Sequence, residues 1–186
     1  MTRTELIKEG VENLRAGRVI LCPSDTIASL SCDAGNVEAI KRIFSIKQRP
    51  SDKSLIVLVS SFTMLEGLVE HIPEAAYQWM EITDSPLTIV YSKVRNLPID
   101  ALSEDDTLAI RLVSGGFIKE LIDRYRRPIV STSANLSGKP APVKVSEADP
   151  LISRAVDYVI DLPEFLAKPS SVVKFNSDGS FKIIRK

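Results

Sequence analysis

Along the chain, short apolar runs bounded by turn residues alternate with longer stretches whose apolar positions recur every three to four residues. The short runs predict strands and the longer stretches predict helices. Residues 18–25 (RVILCPSD) read as a short buried strand stopped by Pro23, and residues 26–34 (TIASLSCDA) as a second, less apolar one. Residues 54–60 (SLIVLVS) are almost continuously apolar, the pattern of a strand covered on both faces near the middle of a sheet. Further strands are predicted in SPLTIVYS (85–92), TLAIRLV (107–113), the start of RPIVSTSAN (127–135), VDYVIDL (156–162), SVVKFN (171–176) and SFKIIR (180–185), the last two flanking an Asp178-Gly179 turn.

Helix signals fall between these runs. Thr2 and Glu5 have capping-box spacing and open a helix that ends at Gly17. Asn36 caps a second helix, NVEAIKRIFSIK, with Val37, Ile40, Ile43 and Phe44 on one face and Arg49-Pro50 at its end. PEAAYQWMEI (73–82) starts with a proline suited to a first turn, FIKELIDRY (117–125) is a further helix, and a short one is expected near Glu147. Strands and helices mix without strict βαβ alternation, and consecutive strands occur at both ends. The expected class is α+β, or mixed α/β, built on a twisted mixed β-sheet with flanking helices. With no internal repeat, low-complexity segment or linker, residues 1–186 are expected to form a single domain.

Composition narrows the function classes. The 24 acidic and 24 basic residues cancel, which argues against general charge-driven nucleic-acid binding and leaves room only for a local basic patch. Cys22 and Cys32 have no CxxC or metal-ligand spacing, and His71 is the single histidine, so a reduced, cytoplasmic protein without structural zinc is expected. The N-terminal MTRTELIKEG is charged and helical, unlike a secretory signal, and no apolar run reaches membrane-spanning length.

Chemistry-bearing residues cluster in four places. Lys47, Arg49 and Lys53 fall within seven residues, immediately before the most apolar strand. They form either an anion site or a set of charges balancing the helix macrodipole. STSANLSG (131–138) follows a short buried strand with four hydroxyls and an amide, suited to a phosphate or small polar ligand, or simply to turns. Ser24, Asp25 and Thr26 lie between two predicted strands, as a ligand-contacting loop or as an Asx-type turn. In DTLAIRLV, the residues Thr107, Ala109 and Arg111 share one face of a strand, which places Arg111 in a pocket or on the outer face of an edge strand. There is no GxxxxGK[ST], GxGxxG or GxSxG motif, and His71 reads as a surface residue. No covalent nucleophile or triad is apparent, so catalysis would rest on positioning and charge stabilisation, as in nucleotidyl transfer.

The segments PSDT, KQRPSDKSLIVLVS, SPLTIVYS, TLAIRLV, STSANLSGKPAP and PSSVVKF, in this order, resemble the YrdC-like family of threonylcarbamoyl-AMP synthases in its short form. The resemblance covers nearly the whole chain, and the KxRP block paired with the SAN-x-SG block is its most specific part. It implies an α/β sheet around a large, positively lined cavity. The implied reaction makes threonylcarbamoyl-adenylate and pyrophosphate from L-threonine, bicarbonate and ATP, with Mg2+ bridging phosphates. The product would serve a tRNA modification beside the anticodon, through the tRNA threonylcarbamoyl-transfer complex.

The resemblance also implies residue roles. Lys47 and Arg49, with Lys53 beside them, would contact the triphosphate, as would Ser133 and Asn135. Thr107, Ala141 and Arg185 would complete the ATP site. Thr26, Arg111, Ser131 and Ser171 would line the threonine side, with Arg111 on its carboxylate. The first motif departs from the family's pattern: Ala28, Ser29 and Ser31 stand where a tyrosine and two glycines are usual. The family also has members described as binding double-stranded RNA. A surface of Lys41, Arg42, Lys47, Arg49, Lys53, Arg124, Arg126 and Arg127 would serve an RNA- or nucleotide-binding relative without synthase activity.

Overall fold

A computed structural model describes residues 1–48, 55–98, 107–163, 169–175 and 180–186. In chain order its elements are α1 (Arg3–Arg15), β1 (Ile20–Pro23), β2 (Ala28–Asp33), α2 (Val37–Lys47), β3 (Ile56–Val59), α3 (Phe62–Glu66), α4 (Glu74–Ile82), β4 (Leu87–Tyr91), β5 (Leu108–Leu112), α5 (Gly116–Tyr125), β6 (Ile129–Ser133), a 3-10 turn at Val145–Glu147, α6 (Pro150–Ala155), β7 (Tyr158–Val159), β8 (Ser171–Phe175) and β9 (Phe181–Arg185).

Local chemistry explains most of the boundaries. Thr2 and Glu5 form the predicted reciprocal capping box on α1. Asn36 caps α2 by accepting from the Ala39 amide, and that helix stops at Gln48, which adopts a left-handed conformation. Ser61 caps the five-residue α3, and Asp149 with Pro150 opens α6. Neither of these two short helices was predicted. The expected strand at 156–162 contracts to Tyr158–Val159, and the 178–179 turn lies outside the described residues.

Among the described residues, nine strands join one mixed sheet in the order β7-β1-β2-β6-β3-β5-β4-β8-β9. The apolar strand β3 sits at its centre, parallel to β5 and antiparallel to β6, as its unbroken apolar run predicts. β4 pairs antiparallel to β5 and parallel to β8, and β9 forms the far edge.

The two faces of the sheet are covered differently. On one face Leu30, Val57, Ile89, Ile110 and Val130 pack with Ala39, Ile40, Ile43 and Phe44 of α2, while Val37 stays only half-buried. On the other, Ile20, Cys22, Leu58 and Ile129 pack beneath Leu6, Val11 and Leu14 of α1 and Phe117, Ile118 and Leu121 of α5. Gly10 permits that helix pair to close up, since a Cβ there would meet Leu121 Cδ1 at 2.9 Å. On this second face, the ends of the strands run out beyond α1 and α5, where their inward positions turn polar. β2 shows the change: all six residues are buried, yet Ala28, Leu30 and Cys32 enter the apolar core while Ser29 and Ser31 face the other way. Among the described residues, no helix is long and apolar enough to cross a membrane.

Candidate active site

The polar ends of these strands form the floor of a cavity of about 660 Å3, within the range of small-molecule sites. The strand register lays the floor out in two transverse rows. In one, Ser131 stands opposite Ile56, Ile56 opposite Ala109, Ala109 opposite Val90 and Val90 opposite Lys174. In the other, Arg111 stands opposite Thr88, Thr88 opposite Val172 and Val172 opposite Arg185. Because side chains alternate along a strand, Arg111, Lys174 and Arg185, from three different strands, share one hollow. Ser24, Thr26, Ser29, Thr107, Ser133 and Ser170 add hydroxyls, and no described lining residue is acidic.

Two of the cations are held by neighbouring side chains and backbone, Arg111 from outside the cavity and Arg185 by the lining residue Ser170. Arg111 is 4% exposed, and its Nη2 lies 2.9 Å from Asp25 Oδ1. Neither that oxygen nor the buried Arg111 Nε makes an aligned hydrogen bond. Burial draws the Arg111 pKa down, with Asp25 opposing and the Arg185 charge adding to the shift. Burial likewise pushes the Asp25 carboxyl up, against the pull of Arg111. Arg185 donates from Nε and Nη2 to the Ser170 carbonyl at 3.1 and 2.9 Å, and from Nη2 to Ser170 Oγ at 3.2 Å. Ser170 Oγ is in turn 2.7 Å from Thr88 Oγ1.

A β-bulge sets the aim of Arg185. Val173 pairs with Ile183 but Val172 pairs with Arg185, so Ile184 is an extra residue and both Ile184 and Arg185 line the cavity.

The wall beside Ser133 is tied to the end of α2. Lys47 is 2% exposed and its ammonium donates to the Ser133 carbonyl, to the Asn135 carbonyl at 2.8 Å and to Asn135 Oδ1 at 3.4 Å. Its own carbonyl accepts from the Ser137 amide at 2.9 Å. Asn135 completes the knot, accepting from Ser133 Oγ and donating from Nδ2 to Leu136 and Lys139 carbonyls at 3.0 and 2.6 Å.

Residues 12–186 match the family model of Sua5, YciO and YrdC, which carries the description "Telomere recombination". The chain belongs to the Sua5/YciO/YrdC family. It is 31% identical over 166 residues to the threonylcarbamoyl-AMP synthase of Pseudoalteromonas translucida, covering 88% of this chain and 89% of that protein. It is 34% identical over 149 residues to the synthase of Pyrococcus abyssi, covering 80% of this chain and 44% of that one. The crystal structure of P. abyssi Sua5 complexed with L-threonine superposes with a TM-score of 0.84 at 31% identity, over 94% of this chain and 52% of that chain. Escherichia coli YciO, at 23% identity and a TM-score of 0.82, shares the fold.

Set against what the family resemblance implies, the cavity gathers Thr26, Thr107, Arg111, Ser131, Ser133, Ala141 and Arg185. Arg111 stands on an interior strand, which disposes of an outer-face, edge-strand arginine. Arg49 and Lys53 lie outside the described residues. Three expected contacts are placed elsewhere. Lys47 and Asn135 are not among the lining residues; they brace the loop that presents Ser133. Ser171 is one residue out of phase: Ser170, Val172 and Lys174 line the cavity, and Ser171 alternates with core residue Val173 on the opposite face.

The predicted Asx-type turn at 24–26 is built by Ser24, whose Oγ accepts from the Thr26 and Ile27 amides at 3.1 and 3.2 Å. Sequence reading passed over Ser29, Ser170 and Lys174 as cavity residues. Period two along SSVVKF, anchored on Val173 as core, carries the signal for the last two.

Proposed function

We propose that this member of the family is an L-threonylcarbamoyladenylate synthase, a nucleotidyltransferase that uses ATP, L-threonine and bicarbonate. The observation that carries the reading is the presence of two cationic centres in one hydroxyl-lined hollow. The Arg111 guanidinium, which lines the cavity, is suited to a carboxylate, and the Arg185 and Lys174 centre is suited to phosphates. Threonine's amine and bicarbonate give a carbamate and water. A carbamate oxygen then attacks the α-phosphorus of ATP, and the bond to the bridging oxygen breaks to release pyrophosphate. Both partners are anions, so fixed cations that hold them side by side are the main catalytic requirement, and the cavity supplies them without a nucleophile.

Mg2+ belongs to the same proposal. Among the described residues no three His, Cys, Asp or Glu side chains cluster, and Asp25 is engaged with Arg111. That donor set fits an ion ligated chiefly by phosphate oxygens and water. When bound, the ion neutralises phosphate charge. The adenylate is a labile mixed anhydride, so its consumer is a tRNA-modifying transfer complex that takes it up soon after release.

Pyrophosphate release tests the reading. Release should depend on threonine and bicarbonate together, and Arg111→Gln should raise the threonine KM at least about tenfold, the scale of a lost charge-assisted contact. Release from ATP that neither threonine nor bicarbonate accelerates would refute it.

A further inference from the structure

Asp25 does not line the cavity that Arg111 faces. It lines a neighbouring hollow of about 630 Å3, together with Ser60, Thr83, Asp84, Ser114 and Lys119. Ser24 lines both hollows, so the turn between β1 and β2 is the partition between them. That turn is rigid. Besides the two amides it accepts, Ser24 Oγ donates to the Ile27 carbonyl at 2.7 Å, and the Ala28 amide is tied to the Val143 carbonyl at 3.0 Å. Asp25 therefore reaches Arg111 from behind, at a side-chain exposure of 12% against 5% for the arginine.

The consequence is electrostatic. The Arg111–Asp25 pair carries no net formal charge, while Arg185, at the other end of the same cavity, is bonded to the neutral Ser170, and no described lining residue is acidic. An anion that reaches Arg111 still finds a guanidinium that lines the cavity. It also meets Asp25 across a single guanidinium, in a dry setting where like charges repel strongly. A singly charged carboxylate tolerates that neighbour better than a multiply charged phosphate does.

We propose that Asp25 is the residue that makes the Arg111 end of the cavity select a carboxylate over a phosphate, and so keeps the two anionic substrates from exchanging places. The identity of the carboxylate as threonine rests on the synthase reading; the selection against phosphate does not.

The test is calorimetric titration of pyrophosphate and, separately, threonine into folded wild-type protein, Asp25→Asn and the Asp25→Asn/Arg111→Gln double variant. Pyrophosphate should bind Asp25→Asn about tenfold more tightly than wild type, as expected when one opposing charge is removed from a buried contact, and the gain should vanish in the double variant. Equal pyrophosphate affinity in folded Asp25→Asn and wild type overturns the proposal, as does a gain that persists without Arg111. A mere structural role for Asp25 predicts weaker binding, never tighter. Should Asp25→Asn fail to fold, the same comparison is made with Asp25→Ser: a pyrophosphate gain that Arg111→Gln abolishes supports the proposal, and no gain overturns it. Wild-type protein that binds pyrophosphate but not threonine would sink the synthase reading and leave this comparison intact.

Discussion

Replacing Lys47 with methionine separates two roles for the residue. The family resemblance places its ammonium on the triphosphate; the structure places it beneath the cavity wall, on the Ser133 and Asn135 oxygens. Methionine keeps most of the side-chain volume and removes the charge. Two part-buried backbone carbonyls then lose a charged donor, at about 1.5–3 kcal/mol each, and a longer contact of 3.4 Å goes with them. The loss is offset by no longer burying an ammonium, which costs several kcal/mol in a protein interior.

The net expectation for Lys47→Met is a destabilisation of about 2–4 kcal/mol, or about 4–16 °C in Tm for a chain of this size. Urea denaturation followed by circular dichroism gives the stability. Pyrophosphate release with saturating threonine gives the ATP KM. A staple predicts loss of stability with a modest rise in KM, because Ser133 is loosened rather than removed. An unchanged midpoint of unfolding together with a large rise in ATP KM would refute the staple and restore direct phosphate contact.

Ser170→Ala removes the 3.2 Å bond from Arg185 Nη2 to Oγ but keeps both bonds to the backbone carbonyl, so it should raise the ATP KM about two- to fivefold, whereas Ser171→Ala should change KM less than twofold; the reverse order would contradict the register of β8. Arg42 Nη1 reaches both Asp157 oxygens, at 2.7 and 2.6 Å, and Nη2 reaches the Ala155 carbonyl at 2.9 Å. Asp157 is partly desolvated, which opposes ionisation, but bonds from Arg42 and the Val19 amide hold its pKa below the ordinary value. Its stabilisation is therefore present above the unfolded pKa of about 3.9 and disappears as pH falls through the lower folded value. Arg42→Ala should cost about 1–2 kcal/mol near neutral pH and much less below about pH 3; equal losses at both would exclude the ion pair as the cause. Burial pushes the Cys22 thiol up to about 11 and raises Cys32 further, so a thiol reagent should leave the native protein unlabelled and modify both cysteines in urea. Rapid labelling of native protein would contradict the packing of β1 and β2.

Much of this was legible in the chain because it depends on local rules. The caps at Thr2 and Asn36, the central place of the 54–60 run and the shared face of Thr107, Ala109 and Arg111 follow from side-chain chemistry and strand period alone. The positions of Lys47, Asn135 and Ser171 relative to the cavity needed information that no local window holds. The burial of Lys47 depends on where β6 ends, 86 residues later. The phase of Ser170 against Ser171 depends on which face of β8 meets the core. Asp25 matters only because the turn between β1 and β2 reaches Arg111 of β5, a strand separated from β2 in the sheet by β6 and β3 and far from it in sequence. The short helices α3 and α6 escaped because five or six residues hold too few periodic positions to announce a helix.

The bulge in β9 makes the C-terminal strand a counting device. Remove Ile184 and the ladder becomes regular with Arg185 still facing Val172, so the guanidinium stays in place. Insert one residue between Ile183 and Ile184 instead, and unless a second irregularity forms, parity sends the arginine to the opposite side, the face on which Phe175 and Phe181 pack against Trp79 further along the strand. Shortening and lengthening this strand by the same single step thus have opposite outcomes for the enzyme.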